Sequence, residues 1–346
     1  MAGSRDLVTF CQALPKVELH AHLHGCVRRE TLAEWAGRSV SDVQGLDGAF
    51  AVFPLIHATV SDLARLRRVV IEAIEDFHAD NVVYLELRST PRALGTHSKA
   101  DYIQCVVAAM SECMQRPDLS GIAVRFLISI DRSKCIDDAR DAIKFLESFK
   151  HPLIVGVDLS GNPCSPKHDD VRFQRLLDVL QTRPAEYPLT VHFGEYWNVD
   201  ELHRILAINP DRLGHAFHVD PRTMATEQAC RCCHSGGTCS HPICSLCNVL
   251  VFTEPNGKPA PCLCPYHDHP LKHLLLDADA PVCICTDDPT VFRSTSTLEY
   301  IRAARAFQLS HGQIINLVRR SLPMMFDQTA RDAVENLLDS YAARHV

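Results

Sequence analysis

The chain alternates between two hydrophobic rhythms. One is the short continuous apolar run: "VELHAHLHG" (17–25), "VVYLELRST" (82–90), "IAVRFLISID" (122–131), "LIVGVDLSG" (153–161), "LTVHFGE" (189–195), "DRLGHAF" (211–217), "PICSLC" (242–247) and "PVCICTDDP" (281–289). Each is short and β-branched, the pattern of a strand covered on both faces. The other rhythm repeats at three and four. In "SDLARLRRVVIEAIEDFHAD" the residues Leu63, Leu66, Val70, Ile74 and Phe77 mark one helix face, with Ser61 or Asp62 as its cap. "DYIQCVVAAMSECM" repeats the pattern through Ile103, Val106, Val107, Met110 and Met114, and "DDARDAIKFLESF" and "VDELHRILAIN" look the same. After the last run the chain reads as helix to its end, as in "TLEYIRAARAF" and "ARDAVENLLDSYAA". Strand and helix alternating eight times predict an α/β fold, a (β/α)8 TIM barrel, with extra helices after strand one and at the C-terminus. Residues 38–60 would be the insertion, a candidate lid. A doubly wound open sheet is the alternative, but no glycine-rich phosphate loop follows the first run.

The first run also places His20, His22 and His24 at alternate positions, on one face of a strand together with Glu18. In a barrel, chemistry gathers at the C-terminal ends of the strands. Read in order, those ends carry the histidines of run one, "RSTPR", "DLSGNP", His192 and Glu195, His215, and the pair Asp287–Asp288. Several imidazoles, a carboxylate and a position left for water make the composition of a catalytic zinc site. His20, His22, His192 and Asp287 are the ligands we choose. Zinc would bring the pKa of its water to about 7. Glu195, three residues after a ligand, is the candidate general acid/base. His215 would orient or deprotonate the water, with a satisfied core histidine as the plain alternative.

The length of 346 residues fits one barrel, and we expect a single domain over 1–346, acting as a monomer. The net charge of −7 argues against nucleic acid as a bulk partner. No apolar run is long enough to span a membrane, and the N-terminus does not read as a signal peptide. Of 16 cysteines, half lie between Cys230 and Cys264. Without a signal peptide, a large chain with so many thiols points to a reducing, cytoplasmic setting. We read the clustered cysteines as free thiols. A second, structural zinc on Cys230, Cys232, Cys244, Cys247, Cys262 and Cys264 is the alternative.

"VELHAHLHG", "TVHFGE", "RLGHAF" and "ICTDDP" resemble the four signature motifs of the adenosine/AMP deaminase family, in order, and the resemblance runs over nearly the whole chain. It implies a zinc-dependent barrel, one Zn2+ per chain, that hydrolyses the 6-amino group of purines. On that resemblance Glu195 protonates purine N1, His215 holds the attacking water, Asp288 hydrogen-bonds N7 and the backbone at Gly161 meets N3. The family's adenosine-specific members carry an acidic residue, which holds the ribose 5′-hydroxyl, where this chain has His24. A carboxylate there would repel a 5′-phosphate. With Arg88, Ser89, Thr90 and Arg92 in "YLELRSTPR", His24 would instead make a phosphate pocket. This resembles the adenosine deaminase-like branch, which acts on N6-methyl-AMP and related nucleotides. The partner is then a small purine nucleotide or nucleoside. A deaminase of free adenosine, another amidohydrolase, and a non-catalytic purine-binding barrel are the rival readings. Three departures stand out: Ala216 where the family has glycine, Cys247-Asn248 where it has Ser-Asn, and Asn162 where it has an acidic residue.

Overall fold

The computed structural model describes residues 2–37, 45–163, 169–195, 198–216, 243–244 and 281–345. Eight parallel strands follow one another in chain order: β1 (Lys16–His22), β2 (Val82–Ser89), β3 (Ala123–Asp131), β4 (Ile154–Ser160), β5 (Leu189–Phe193), β6 (Arg212–His215), β7 (Ile243–Cys244) and β8 (Val282–Cys283). Seven of them fall inside the predicted runs, and β1 starts one residue before its own. The sheet closes on itself just past β8. There Asp287 N donates to His20 O and His22 N donates to Asp287 O, both at 2.9 Å. The expected barrel is the fold.

Helices follow the strands. α1 (Ala2–Ala13) precedes the barrel, α2 (Arg29–Ala36) and α3 (Gly45–Thr59) form the insertion after β1, and α4 (Leu63–Ala79) returns to β2. Asp62 caps α4 by accepting from Arg65 N at 2.9 Å. α5 (Lys99–Gln115) starts with a capping box on Ser98, and α6 (Ile136–Ser148), α7 (Asp170–Gln181) and α8 (Val199–Ala207) complete the helices of the first five units. Helices 296–307, 311–321 and 331–345 close the chain. Two helices carry no clear signal in the sequence reading. α1 is tied down from outside its own span, by Lys16 Nζ donating to Cys11 O and Leu14 O. α7 begins at an Asp169 cap. No helix among the described residues is long and apolar enough to cross a membrane.

One expectation changes at the end of β1. The strand stops at His22, and Leu23–Cys26 turn into a 3₁₀ segment. His24 therefore leaves the face that it was expected to share with His20 and His22. Its ring packs instead against His57 of α3 and Tyr102 of α5.

Strand alternation sorts the side chains of β2. Leu85 and Leu87 join the apolar layer under the helices, while Glu86 and Arg88 point into the barrel. The interior is unusually polar for a barrel core. Arg88 of β2 pairs with Asp158 of β4 at 2.9 Å, and Arg212 of β6 pairs with Glu86 of β2 at 2.6 Å, all four side chains fully buried. Arg212 also donates to Met324 O at 3.0 Å and lies 4.0 Å over the Phe326 ring, so the C-terminal segment plugs the base of the barrel through it. Removing one member of a buried pair strands the other charge and costs about 3–5 kcal/mol. We expect Arg212→Ala to lower the unfolding free energy by that amount, read as a fall in the urea midpoint at unchanged m-value. A loss below about 1 kcal/mol would show that the pair carries no such weight.

Candidate active site

The C-terminal rim of the strands brings four donor side chains into mutual contact. His192 Nε2 lies 3.1 Å from His20 Nε2 and 2.9 Å from His22 Nε2. Asp287 Oδ1 lies 3.5 Å from His20 Nε2 and 3.3 Å from His22 Nε2. Donors about 2.0–2.2 Å from a tetrahedral ion stand about 3.3–3.6 Å from one another, so these separations suit a single small cation. The protonation pattern suits it as well. His192 Nδ1 donates to Leu159 O at 2.9 Å, with Asp158 Oδ1 3.2 Å away. A neutral His192 therefore turns a lone pair at Nε2 toward the two other imidazoles. Burial holds His20 and His22 well below the ordinary imidazole range, which keeps them neutral and available as ligands. Three nitrogens and a carboxylate converge in a group fit to hold a metal ion; burial raises Asp287 and, against burial, Asp158 raises His192, so a cation bound there would displace protons.

His215 joins the same group: with His20, His192 and Asp287 it offers donor atoms all within 4.8 Å of one another. His22 also stands beside the group, 2.9 Å from His192 and 3.3 Å from Asp287. Among the described residues neither ring nitrogen of His215 has a hydrogen-bond partner, and its Nε2 faces Glu195 Oε1 at 3.7 Å. Burial raises Glu195 above the ordinary carboxyl range, against the pull of His192 and Arg132. Burial, with Glu195 close by, also raises Asp288, whose Oδ1 is buried and unpartnered.

The backbone is strained where these groups meet. His215, Ala216 and Asp287 are non-glycine residues at φ of +63°, +52° and +61°. Such conformations cost energy and persist where surrounding structure enforces them. Position 216 accounts for the family's glycine: the turn there is left-handed, and this chain makes it with alanine. Two glycines allow close approaches. A Cβ on Gly214 would meet His20 Cε1 at 2.6 Å, so the bare strand lets that imidazole lie against β6.

Every residue selected from the sequence except His20 lines one cavity of about 910 Å³. Gly161 and Asn162 border it after β4, and Phe50, Phe53 and His57 come from α3. At the end away from the metal ligands, Arg92 donates to His57 O at 3.1 Å and Val60 O at 2.8 Å, tying down the C-terminal end of α3. Thr90 and Lys134 line the cavity beside it. Burial, then the charges of Arg92 and Lys134, push His57 down to about 4, which places both cations around its ring.

Two assignments change. Arg88 is not a free donor for a ligand: its guanidinium is fully buried and spent on Asp158 and on Leu19 O. Ser89 is engaged too, by Tyr102 OH at 2.6 Å and His24 Nδ1 at 3.3 Å. Three residues went unread in the sequence. Asp158, which also accepts from Ser129 Oγ at 2.7 Å, looks like a core strand residue until Arg88 and His192 meet it. Lys134 follows β3 at the same rim as the other candidates, and that position was the available signal. His57 had none, because α3 is brought to the cavity by packing alone. The Cys-rich segment, including Cys247 and Asn248, lies outside the described residues apart from β7.

The comparisons agree with this geometry. The adenosine deaminase family model matches residues 38–341. An adenosine deaminase-like protein of Drosophila melanogaster is 32% identical over 92% of this chain and 93% of its own. An N6-methyl-AMP deaminase of Danio rerio is 32% identical over 92% of each chain. A crystal structure of an Arabidopsis ADAL complexed with IMP superposes with a TM-score of 0.78 at 28% identity, covering 97% of this chain and 99% of that one. On the family match and the extent of these similarities, the chain belongs to the adenosine deaminase family.

Proposed function

We propose that this chain hydrolyses the C6 amino substituent of a purine 5′-nucleotide, converting N6-methyl-AMP and water to IMP and methylamine. The observation that carries the nucleotide reading is the far end of the cavity. His24, Thr90, Arg92 and Lys134 supply donors there, and the carboxylates that share the cavity wall are already engaged, Asp131 by Ser133 N and Oγ and Asp138 and Asp141 by Lys99. Relatives called N6-methyl-AMP deaminase and a relative holding IMP support the same reading. We assign one zinc per chain to His20, His22, His192 and Asp287, since imidazole and carboxylate donors in this number suit that ion. Bound there, zinc supplies the Lewis acidity that makes water a nucleophile near neutral pH. The free buried thiols Cys11, Cys26, Cys113, Cys283 and Cys285 fit the reducing cytoplasm in which we place the protein.

The chain's own residues do the rest. Attack at C6 breaks the aromaticity of the ring, so a proton must reach N1 as the bond forms. Glu195, its carboxyl pKa raised by burial, keeps that proton toward neutral pH and donates it. His215, held neutral by burial and facing Glu195, orients the attacking water. Purine N7 is an acceptor, so the group that meets it must donate. Asp288, raised by burial and by Glu195, retains the proton to do so. The backbone at Gly161 borders the cavity where N3 would lie.

Three outcomes follow. Elemental analysis should find one zinc per chain in both wild type and Glu195→Gln, with kcat of the variant down by about 10²-fold or more. Wild-type kcat in the zinc-loaded variant would remove Glu195 as the acid. Gly25→Ala should displace Asp288, because the added Cβ would lie 1.8 Å from Asp288 Oδ1. We expect about a tenfold or greater fall in kcat/KM with zinc content kept, and unaltered turnover would detach Asp288 from the substrate. Finally, two charge-assisted hydrogen bonds should favour N6-methyl-AMP over N6-methyladenosine by about 10²-fold in kcat/KM, and His24→Asp should shrink that ratio. Equal values for nucleotide and nucleoside would return the chain to the reading of a deaminase of free nucleosides.

A further inference from the structure

A buried hydrogen-bond chain runs up to the cavity wall. Tyr102 OH lies 2.6 Å from Ser89 Oγ, and Ser89 Oγ lies 3.3 Å from His24 Nδ1. Tyr102 is fully buried, and Ser89 and His24 are buried with it. The Tyr102 ring stacks along His24, and His57 stands edge-on to it at 4.9 Å, so the imidazole cannot swing freely. Its second nitrogen, Nε2, is buried and has no hydrogen-bond partner among the described residues, while the residue lines the cavity.

Apart from an order in which Ser89 Oγ accepts from both neighbours and strands its own proton, the protons of this chain can be ordered in two ways. In one, Tyr102 donates to Ser89, Ser89 donates to His24 Nδ1, and the imidazole carries its proton at Nε2. In the other, Nδ1–H donates to Ser89, Ser89 donates to Tyr102, and Nε2 is a bare lone pair. The second order leaves the phenol proton without an acceptor, since Ser89 Oγ is the hydrogen-bond partner of Tyr102 OH among the described residues. An unmade hydrogen bond in a fully buried site is costly. The first order strands nothing except Nε2–H, which the cavity can satisfy.

We propose that Ser89 is a positioning residue that holds His24 in the Nε2–H tautomer, a fixed donor for a ligand oxygen at the end of the cavity away from the metal ligands. The oxygen's identity as phosphate rests on the nucleotide reading above, whereas the tautomer does not. Ser89 then acts on the ligand through His24, and the specificity at this position comes from residues of β2 and the turn after β1.

The test is long-range proton–nitrogen NMR on the full chain with labelled histidine, near pH 7.5, with His24 assigned by the peak lost in His24→Asn. Wild type should show His24 protonated at Nε2 and bare at Nδ1. Ser89→Ala removes the donor to Nδ1 and should shift His24 toward the Nδ1–H form, whereas Tyr102→Phe leaves Ser89 its donation to Nδ1 and should keep the Nε2–H form. Ser89→Ala should also raise KM for N6-methyl-AMP about tenfold, with kcat within about twofold. Ser89→Thr, which restores the hydroxyl, should recover wild-type shifts and KM. A wild-type His24 protonated at Nδ1 overturns the proposal, as does a Ser89→Ala variant with unmoved nitrogen shifts. If the shifts move as expected but KM for N6-methyladenosine rises as much as that for the nucleotide, the positioning role holds and the phosphate reading fails.

Discussion

Asp158 is the residue on which the site hangs. Burial alone would drive its carboxyl to take up a proton, but Arg88 and then His192 hold it well below the usual carboxylate range. It is therefore a permanent charge in the interior of a barrel. It takes Arg88 on one oxygen, where the Nδ1 of His192 also approaches, and Ser129 on the other. Such a charge is tolerated only when every partner is present. That requirement ties β2, β3, β4 and β5 to one another at the level where His192 turns its Nε2 toward the other ligands. An orienting partner of this kind fixes which nitrogen of a ligand carries the proton.

Closure of the barrel and assembly of the metal group are the same event at Asp287. Its backbone exchanges hydrogen bonds with β1 on both sides, and its side chain meets the imidazoles that β1 carries. The left-handed backbone at Asp287, His215 and Ala216 is held by that closure and by β6 against β5. Strain stored at a site in this way aims side chains that a relaxed strand would point elsewhere. The two ends of the cavity accordingly have different origins. The metal end is built by strands and is rigid. The far end is assembled from α3, α5 and the turn after β1, where His24, His57, Tyr102 and Arg92 meet by packing.

The periodicities of the sequence carried the fold. Runs covered on both faces and helices with one apolar face admit few arrangements, and eight alternations leave room for a closed barrel. The alternate histidines of β1 and the order of polar residues at strand ends carried the metal group, because strand geometry puts residues two apart on one face whatever surrounds them. Those properties are local, and local properties are legible in a chain.

What required the tertiary structure is whatever depends on a partner distant in sequence. Arg88 looked like a ligand for phosphate and became a counter-ion, because Asp158 lies 70 residues further along the chain but only two strands away in the barrel. His24 shares a spacing with His20 and His22, yet the strand ends one turn too soon and hands it to Tyr102 and Ser89. Nothing in "VELHAHLHG" fixes where that strand stops or which way each imidazole holds its proton. By itself the sequence determined which groups are available, through residue type and period. The tertiary structure decided which charges are already spent and which remain free to meet a ligand, because pairing inside a low-dielectric core is set by distance in space.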